Sequence, residues 1–421
     1  MKAVALIDGE HYPPVVRDAL ASLPYDVVAA VLMGGTEKLR AEGDYGVPLV
    51  PGLEAALDEH GPELVYDLSD EPVLGPEERF RCASRVLARG IPYAGADFRF
   101  DPPELAPFPL PSLGIVGTGK RVGKTAVAGH VARLLSADRD VVVVAMGRGG
   151  PREPEVCEAE PTVASLLELS RSGRHAASDY LEDAALARVV TIGCRRCGGG
   201  LAGMPVSSNV DAGARIAAER RPDLVVFEGS GAALPPIATT RRVLVAPAGE
   251  PAHVVAGYLN AYRILISDLV VLTMADAPGA DEVRAAVLDV KDVPTVATVL
   301  RPKPVDDVRG RRVAYFSAAP EEALPRLVDH LREAHGADVT HASSNLARRD
   351  ALRSELEAVD ADTYVVEIKA AAIEVVAEAA EARGAAVVFC DNEVVPLPGE
   401  PDLDHELRQL ADAAVATPAA A

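Results

Sequence analysis

The sequence predicts an α/β protein: a doubly wound parallel sheet flanked by a smaller N-terminal α/β domain and a C-terminal α/β region. Three observations carry this expectation. Short apolar runs alternate with helical patterns along most of the chain, as parallel strands joined by helical crossovers require. The segment from Gly114 to Thr125 links an apolar run to a helical stretch, residues 126–135, through a glycine-rich turn. The run at 224–227 is apolar throughout, as a strand buried on both faces should be, and ends in Glu228-Gly229-Ser230-Gly231.

The elements follow in order. Residues 1–105 read as a small parallel α/β domain, with strands at 3–7, 27–32 and 64–68 and helices at 15–22, 53–60 and 77–89. Residues 101–111 contain five prolines and read as a semi-rigid linker. A second domain, 112–310, has strands at 113–116, 141–145, 224–227, 242–246, 269–273 and 295–300, with helices between most of them. A third region, 311–400, has strands at 312–316, 363–368 and 385–389 and helices at 321–334 and 371–383. Residues 401–421 form a terminal helix and a tail; the tail from 413 onward is small, apolar and without period, and is expected to fray. No internal repeat of fixed period is present.

Composition excludes several classes. A chain of 421 residues accommodates two or three domains. Its net charge of −21 repels a phosphate backbone, which argues against general nucleic-acid binding. Only seven lysines accompany thirty-five arginines, so cationic function rests mainly on guanidinium groups. No apolar run reaches the length of a membrane span. Lys2 leads straight into the first strand and Asp8 interrupts it too early for a secretory signal. Five cysteines, an odd number, fit a reducing cytoplasm better than a disulfide framework.

Gly117-Thr118-Gly119-Lys120-Arg121-Val122-Gly123-Lys124-Thr125 has the make-up of a phosphate-binding loop and makes the second domain a P-loop NTPase domain. Its glycines let successive backbone N–H groups turn inward around a triphosphate at a helix N-terminus. Lys124 would reach the β- and γ-phosphates, and the Thr125 hydroxyl would ligate Mg2+. Thr118 stands where glycine is usual, and the glycine is shifted one place earlier to Gly117. ATP or GTP is the expected ligand. Ligands in open α/β sheets sit at strand carboxyl ends, so Glu228 should face the nucleotide and its metal. A GTPase reading lacks an Asn-Lys-x-Asp motif; Thr273-Met274-Ala275-Asp276 occupies a plausible place for base contact without it.

Cations gather at other strand ends. Gly193-Cys194-Arg195-Arg196-Cys197-Gly198-Gly199-Gly200 holds a Cys-x-x-Cys pair with no second pair to complete a zinc site. Its two arginines and three glycines fit an anion cradle better. Arg148 follows the strand at 141–145, Lys120 and Arg121 sit inside the phosphate loop, and Arg301 and Lys303 follow the strand at 295–300. Solvated surface charge is the alternative for each singly; together they point to a second, highly phosphorylated ligand. In the first domain Asp8, Glu10 and His11 lie just after a strand, with Asp67, Asp70 and Glu71 at another strand end. Glu367-Ile368-Lys369 and Cys390-Asp391-Asn392-Glu393 end strands in the third region and receive no chemical assignment.

The spacing from Gly117 to Thr125, followed by Glu228-Gly229-Ser230-Gly231, resembles the dethiobiotin synthetase group. There a glutamate helps hold Mg2+, which implies that role for Glu228. With Ile7-Asp8-Gly9-Glu10-His11-Tyr12-Pro13 and the 193–200 segment added, the pattern resembles the cyclic 2,3-diphosphoglycerate synthetase family over nearly the whole chain. That resemblance implies an ATP- and Mg2+-dependent ligase. It would close an anhydride between the two phosphates of 2,3-diphosphoglycerate and release ADP and phosphate. Lys124, Lys120, Arg121 and Glu228 would carry the chemistry on ATP held by residues 117–125. Arg148, Arg195, Arg196, Gly198, Gly199, Ser230, Asp8, Glu10 and His11 would bind the substrate. Related P-loop enzymes are commonly dimers, so a homodimer is expected.

Two other readings stand beside it. A kinase of 2-phosphoglycerate or another phosphorylated acid would use the same clamp. A nucleotide-switch ATPase would place a signature lysine where Gly119 stands, one residue before Lys120, and often ends in a membrane-binding helix, for which 402–415 is the candidate.

Overall fold

A computed structural model describes residues 1–35 and 43–417. Among them the strands form one six-stranded and one thirteen-stranded sheet. The N-terminal strands are β1 (Lys2–Ile7), β2 (Asp26–Leu32), β3 (Leu49–Val50), β4 (Leu64–Asp67), β5 (Tyr93–Ala94) and β6 (Arg99–Phe100), in spatial order β3-β2-β1-β4-β5-β6. All pairings are parallel except β5 with β6. β1 is buried from Ala3 to Ile7, as a central parallel strand must be.

The second sheet begins with β7 (Ser112–Gly117), β8 (Val141–Gly147), β9 (Glu155–Cys157), β10 (Val190–Cys197), β11 (Ser207–Ser208), β12 (Leu224–Glu228), β13 (Arg241–Pro247), β14 (Leu269–Thr273) and β15 (Thr295–Pro304). It continues with β16 (Arg312–Phe316), β17 (Asp338–Ser343), β18 (Thr363–Val366) and β19 (Ala386–Pro396). The order β11-β10-β8-β12-β7-β13-β14-β15-β19-β18-β16-β17 runs without a break, and β9 pairs with β10. β7 lies between β12 and β13 at the centre, and the chain reverses its winding there. The phosphate loop therefore leaves the sheet at a topological switch point, where open α/β sheets bind ligands.

The third region joins this sheet instead of standing apart. β15 continues past its parallel pairing with β14 and runs antiparallel to β19 from Thr298↔Pro396 to Pro304↔Cys390. Helices Lys124–Ser136 and Asp179–Ala187 pack on one face, in a core that also takes up Leu403, Leu407, Ala411 and Ala414 of the terminal helix Leu403–Ala416. The opposite face shares a core with the N-terminal helix Pro76–Ala88.

Several expectations change. The 193–200 segment is strand as far as Cys197: β10 aligns with β8 from Val190↔Val142 to Arg195↔Gly147 and with β11 at Arg196↔Ser208 and Cys197↔Ser207. The proline-rich stretch is docked: Phe108 is buried edge-on against Phe227, with ring centroids 4.9 Å apart. That burial contributes about 1.5–3 kcal/mol. Helix 371–383 opens with a π turn at Ala372–Ala377. The tail is helical to Ala416, with Ala414 fully buried; residues 418–421 lie outside the described residues. The apolar face of this helix, Leu403, Leu407, Ala411 and Ala414, is buried in the core, so it is not offered to a membrane.

Candidate active site

The phosphate loop is held from three sides. Thr118 N–H donates to Val245 O at 3.2 Å, and buried Thr273 Oγ1 donates to Val122 O at 2.7 Å. Arg121 (φ +63°) and Gly123 (φ +82°) take left-handed conformations that reverse the chain into helix Lys124–Ser136. The shifted glycine now has a reason. A Cβ at residue 117 would stand 3.0 Å from Gly231 O and from Val122 Cγ2, so close approach of the β12 loop favours glycine there. Thr118 is not left-handed and tolerates a side chain. Lys120 and Arg121 project from the loop into solvent and form no ion pair among the described residues.

Behind the loop, Lys124 Nζ donates to Glu228 Oε1 at 2.5 Å. Both are buried, Glu228 completely, and Glu228 Oε2 has no hydrogen-bond partner. Helix Asp179–Ala187 adds three carboxylates on one face, Asp179, Glu182 and Asp183, at spacings that place them one turn apart. Asp183 Oδ2 is buried without a partner, and Lys369 of the C-terminal region pairs with Glu182 at 3.3 Å. Two lysines thus face four carboxylates. Burial raises the pKa of Asp179, and neighbouring Glu228 raises it further, against Lys124, Lys369 and Arg148. Asp183 is raised well above the ordinary range by burial and by Glu228.

The buried, unpartnered Oε2 of Glu228 behind the loop suits a hard divalent cation. Among the described residues no three His, Cys, Asp or Glu side chains gather as a complete metal cage. Mg2+ is commonly held by one or two carboxylates together with substrate phosphates and water, so the residues fit. Thr125 and Glu228 are the positions that would hold it.

Glu182 is pushed up to about 8 by burial, against the pull of Lys369. An acid that keeps its proton longer in the fold than in the unfolded chain stabilises the fold below its unfolded pKa. That contribution is lost as pH rises through the folded value. The nucleotide-free protein should therefore lose stability between pH 4.5 and about 8. A loss on the order of a few kcal/mol is expected from this cluster. Glu182→Gln should flatten that part of the profile in thermal or urea unfolding. An unchanged slope would show that Glu182 titrates normally.

Beside these acids lies a cleft of about 130 Å³ lined by Gly147, Arg148, His175, Ser178, Asp179 and Ser230. Arg196 reaches the same place, donating through Nη2 to Ser230 O at 2.7 Å and through Nη1 to Gly198 O. A Cβ at Gly231 would stand 2.3 Å from Arg148 Nη2 and 3.5 Å from Arg196 Nη2, so the two guanidiniums converge over this glycine. Neither pairs with a carboxylate among the described residues. Burial, then Arg148, lowers the Arg196 pKa, as unrelieved positive charge should. Arg196 Nε and Ser178 Oγ are buried without partners. Two converging cations and two orphaned donors describe a seat for an anion. A larger cavity of about 390 Å³ lies beyond β14, but its Arg284 is already held by Glu400 at 2.6 Å.

The expected residues separate. Lys124, Glu228, Arg148, Arg196, Gly198 and Ser230 come together with the loop 117–125, and Gly199 lies beside Arg196. Arg195 does not join its neighbour, because successive residues of β10 face opposite sides; it is exposed. Asp8 is buried, with its oxygens taken by Glu10 N–H, His11 Nδ1 and Asp70 N–H at 2.7–2.9 Å. His11 also pairs with Asp70, and none of Asp8, Glu10 and His11 lines the cleft. Cys194 is core, pushed up to about 12 by burial, and Cys197 is exposed; all five cysteines are free. Asp179, Glu182 and Asp183 escaped sequence reasoning. Their one-face spacing was visible, but nothing local marked that face as turned toward the phosphate loop.

Three family models match the chain: the N-terminal domain of cyclic 2,3-diphosphoglycerate synthetase over residues 2–101, its P-loop domain over 112–301 and its C-terminal domain over 304–393. A relative named cyclic 2,3-diphosphoglycerate synthetase from Rubrobacter xylanophilus is 51% identical, covering 98% of each chain. Relatives of the same name from Thermococcus gammatolerans and Methanothermus fervidus are 46% and 41% identical, over 94% and 93% of this chain and 94% and 92% of theirs. With all three domains matched and near-complete coverage by these relatives, the chain is a member of the cyclic 2,3-diphosphoglycerate synthetase family.

Proposed function

We propose that this chain uses ATP to close an intramolecular anhydride between the two phosphates of 2,3-diphosphoglycerate, releasing ADP and phosphate. The observation that carries this reading is the pair Arg148 and Arg196. Among the described residues neither has a carboxylate partner, and they converge over Gly231, in a chain where 63 acidic residues outnumber 42 basic ones. Such a pair suits a second phosphorylated ligand next to the nucleotide.

A substrate phosphate oxygen attacks the γ-phosphorus of ATP and ADP leaves, so that a pyrophosphoryl group forms on the substrate. The neighbouring phosphate then attacks the inner phosphorus of that group, and inorganic phosphate departs as the ring closes. Both nucleophiles are already anions, so catalysis depends on positioning and charge neutralisation more than on a general base. Lys124 exchanges Glu228 for the β- and γ-phosphates, while Arg148 and Arg196 hold the substrate phosphates against the repulsion between two polyanions. Lys120 and Arg121, exposed on the phosphate loop, would fold over the transferred group once ATP is bound. Bound Mg2+ would supply further charge neutralisation at Thr125 and Glu228. Residence in the cytoplasm, which five free cysteines favour, and a homodimeric assembly complete this reading.

The test is ³¹P NMR of the protein with Mg-ATP and 2,3-diphosphoglycerate. Coupled anhydride signals growing together with ADP and phosphate are expected. ADP without a new anhydride would overturn the ligase reading in favour of a kinase or an uncoupled ATPase, and 2-phosphoglycerate would be tried next.

A further inference from the structure

We infer that Lys369 of the C-terminal region is a positioning residue for the phosphate-loop site: through Glu182 it holds helix Asp179–Ala187 with its acidic face toward Lys124 and Glu228. The inference rests on the proposed nucleotide site but not on the identity of the second substrate.

Lys369 belongs to a segment whose backbone is constrained from several directions. Its N–H donates to Glu367 O at 2.8 Å, and buried Glu367 accepts from Ser317 Oγ at 2.7 Å and Ala318 N–H at 3.2 Å. Ala370 is left-handed (φ +48°), unusual for a residue with a Cβ, and its successor Ala371 donates to Leu346 O at 3.2 Å. The π turn Ala372–Ala377 begins directly afterwards. Strained backbone of this kind persists where surrounding contacts over-determine it, often beside functional sites. Its result is a lysine carried across from β18 to meet Glu182, which is only 5% exposed.

The pairing matters because of what lies next to it. Asp179, one turn before Glu182, lines the cleft with Arg148 and Ser230. Glu228 Oε2 and Asp183 Oδ2 are buried and unpartnered on the same side. When Lys124 turns from Glu228 to a nucleotide, these carboxylates lose one of their two lysines, and Lys369 stays as the fixed counter-charge. Without it the acidic helix would lose its anchor to the C-terminal region, and Asp179 its fixed place in the cleft.

The experiment measures Mn2+ binding to the ADP complex by electron paramagnetic resonance, with melting temperature and steady-state kinetics alongside. Lys369→Met should weaken Mn2+ binding by about 10-fold or more, the usual cost of losing support behind a metal site. It should also lower kcat, and Lys369→Arg should recover most of both. Mn2+ binding unchanged within about twofold, even with a lowered melting temperature, would reduce Lys369 to a packing contact and overturn the inference. If Lys369→Met does not fold, Glu182→Met removes the same contact from the other side: weaker Mn2+ binding supports the inference and unchanged binding overturns it. The metal readout needs no turnover, so a wild-type protein that binds Mn2+ and ADP but forms no anhydride would sink the ligase proposal and leave this test standing.

Discussion

Lys124→Met is expected to remove ATP-dependent turnover, by about 10²-fold or more on the scale of a lost transition-state cation. The same change should lower the stability of the nucleotide-free protein. Lys124 Nζ lies 2.5 Å from Glu228 Oε1, and Glu228 is fully buried with its other oxygen already unpartnered. Removing one member of a buried pair leaves an uncompensated charge, at a cost of about 3–5 kcal/mol. The two effects separate in a double variant. Lys124→Met with Glu228→Gln removes both charges and should recover most of the stability while remaining inactive. Urea unfolding and an ADP-release assay on the four proteins of this cycle would show it. If the single variant were as stable as wild type, the buried Lys124–Glu228 contact would not exist in solution.

Arg148→Met and Arg196→Met should each lower kcat/KM for 2,3-diphosphoglycerate by about 10- to 100-fold, since hydrogen bonds to charged groups contribute roughly 1.5–3 kcal/mol. Affinity for ADP should change little, because the cleft lined by Arg148 and Ser230 lies beside the phosphate loop and not within it. The effects should not add, as both guanidiniums converge over Gly231 and share one anion. Lysine should replace either arginine poorly, since a point charge lacks the planar fork. Arg195→Met is the control: it sits next in sequence to Arg196 but on the other side of β10, and should cost little. An equal loss at Arg195 would mean that the strand does not orient this segment as described.

That contrast marks the boundary between what is local and what is not. Ser112 to Ser136 was legible because strand, glycine turn and helix start are written in adjacent residues, each with its own backbone preference. Glu228 was legible because an apolar run stopping at an acid beside small residues marks a strand end. Arg148 was found by the same rule. The segment at 193–200 was legible only as arginines and glycines suited to an anion; the register with β8 makes it a strand, and alternation along it divides the arginines. Likewise the tail from Ala413 has no period worth a name, yet the sheet face beneath it buries Ala414 completely.

The fold class, the phosphate loop and the strand end at Glu228 could be read from the chain, because each is written in a run of adjacent residues; that Glu228 meets Lys124 is a long-range contact. That the C-terminal region extends the nucleotide-binding sheet through β15 and β19 emerges from packing alone. The same holds for Lys369 meeting Glu182 and for Asp179, Glu182 and Asp183 crowding Glu228. These depend on charges brought together from distant segments. Hydrophobic pattern and turn chemistry place the strands, but which carboxylate faces which lysine follows from how the layers pack.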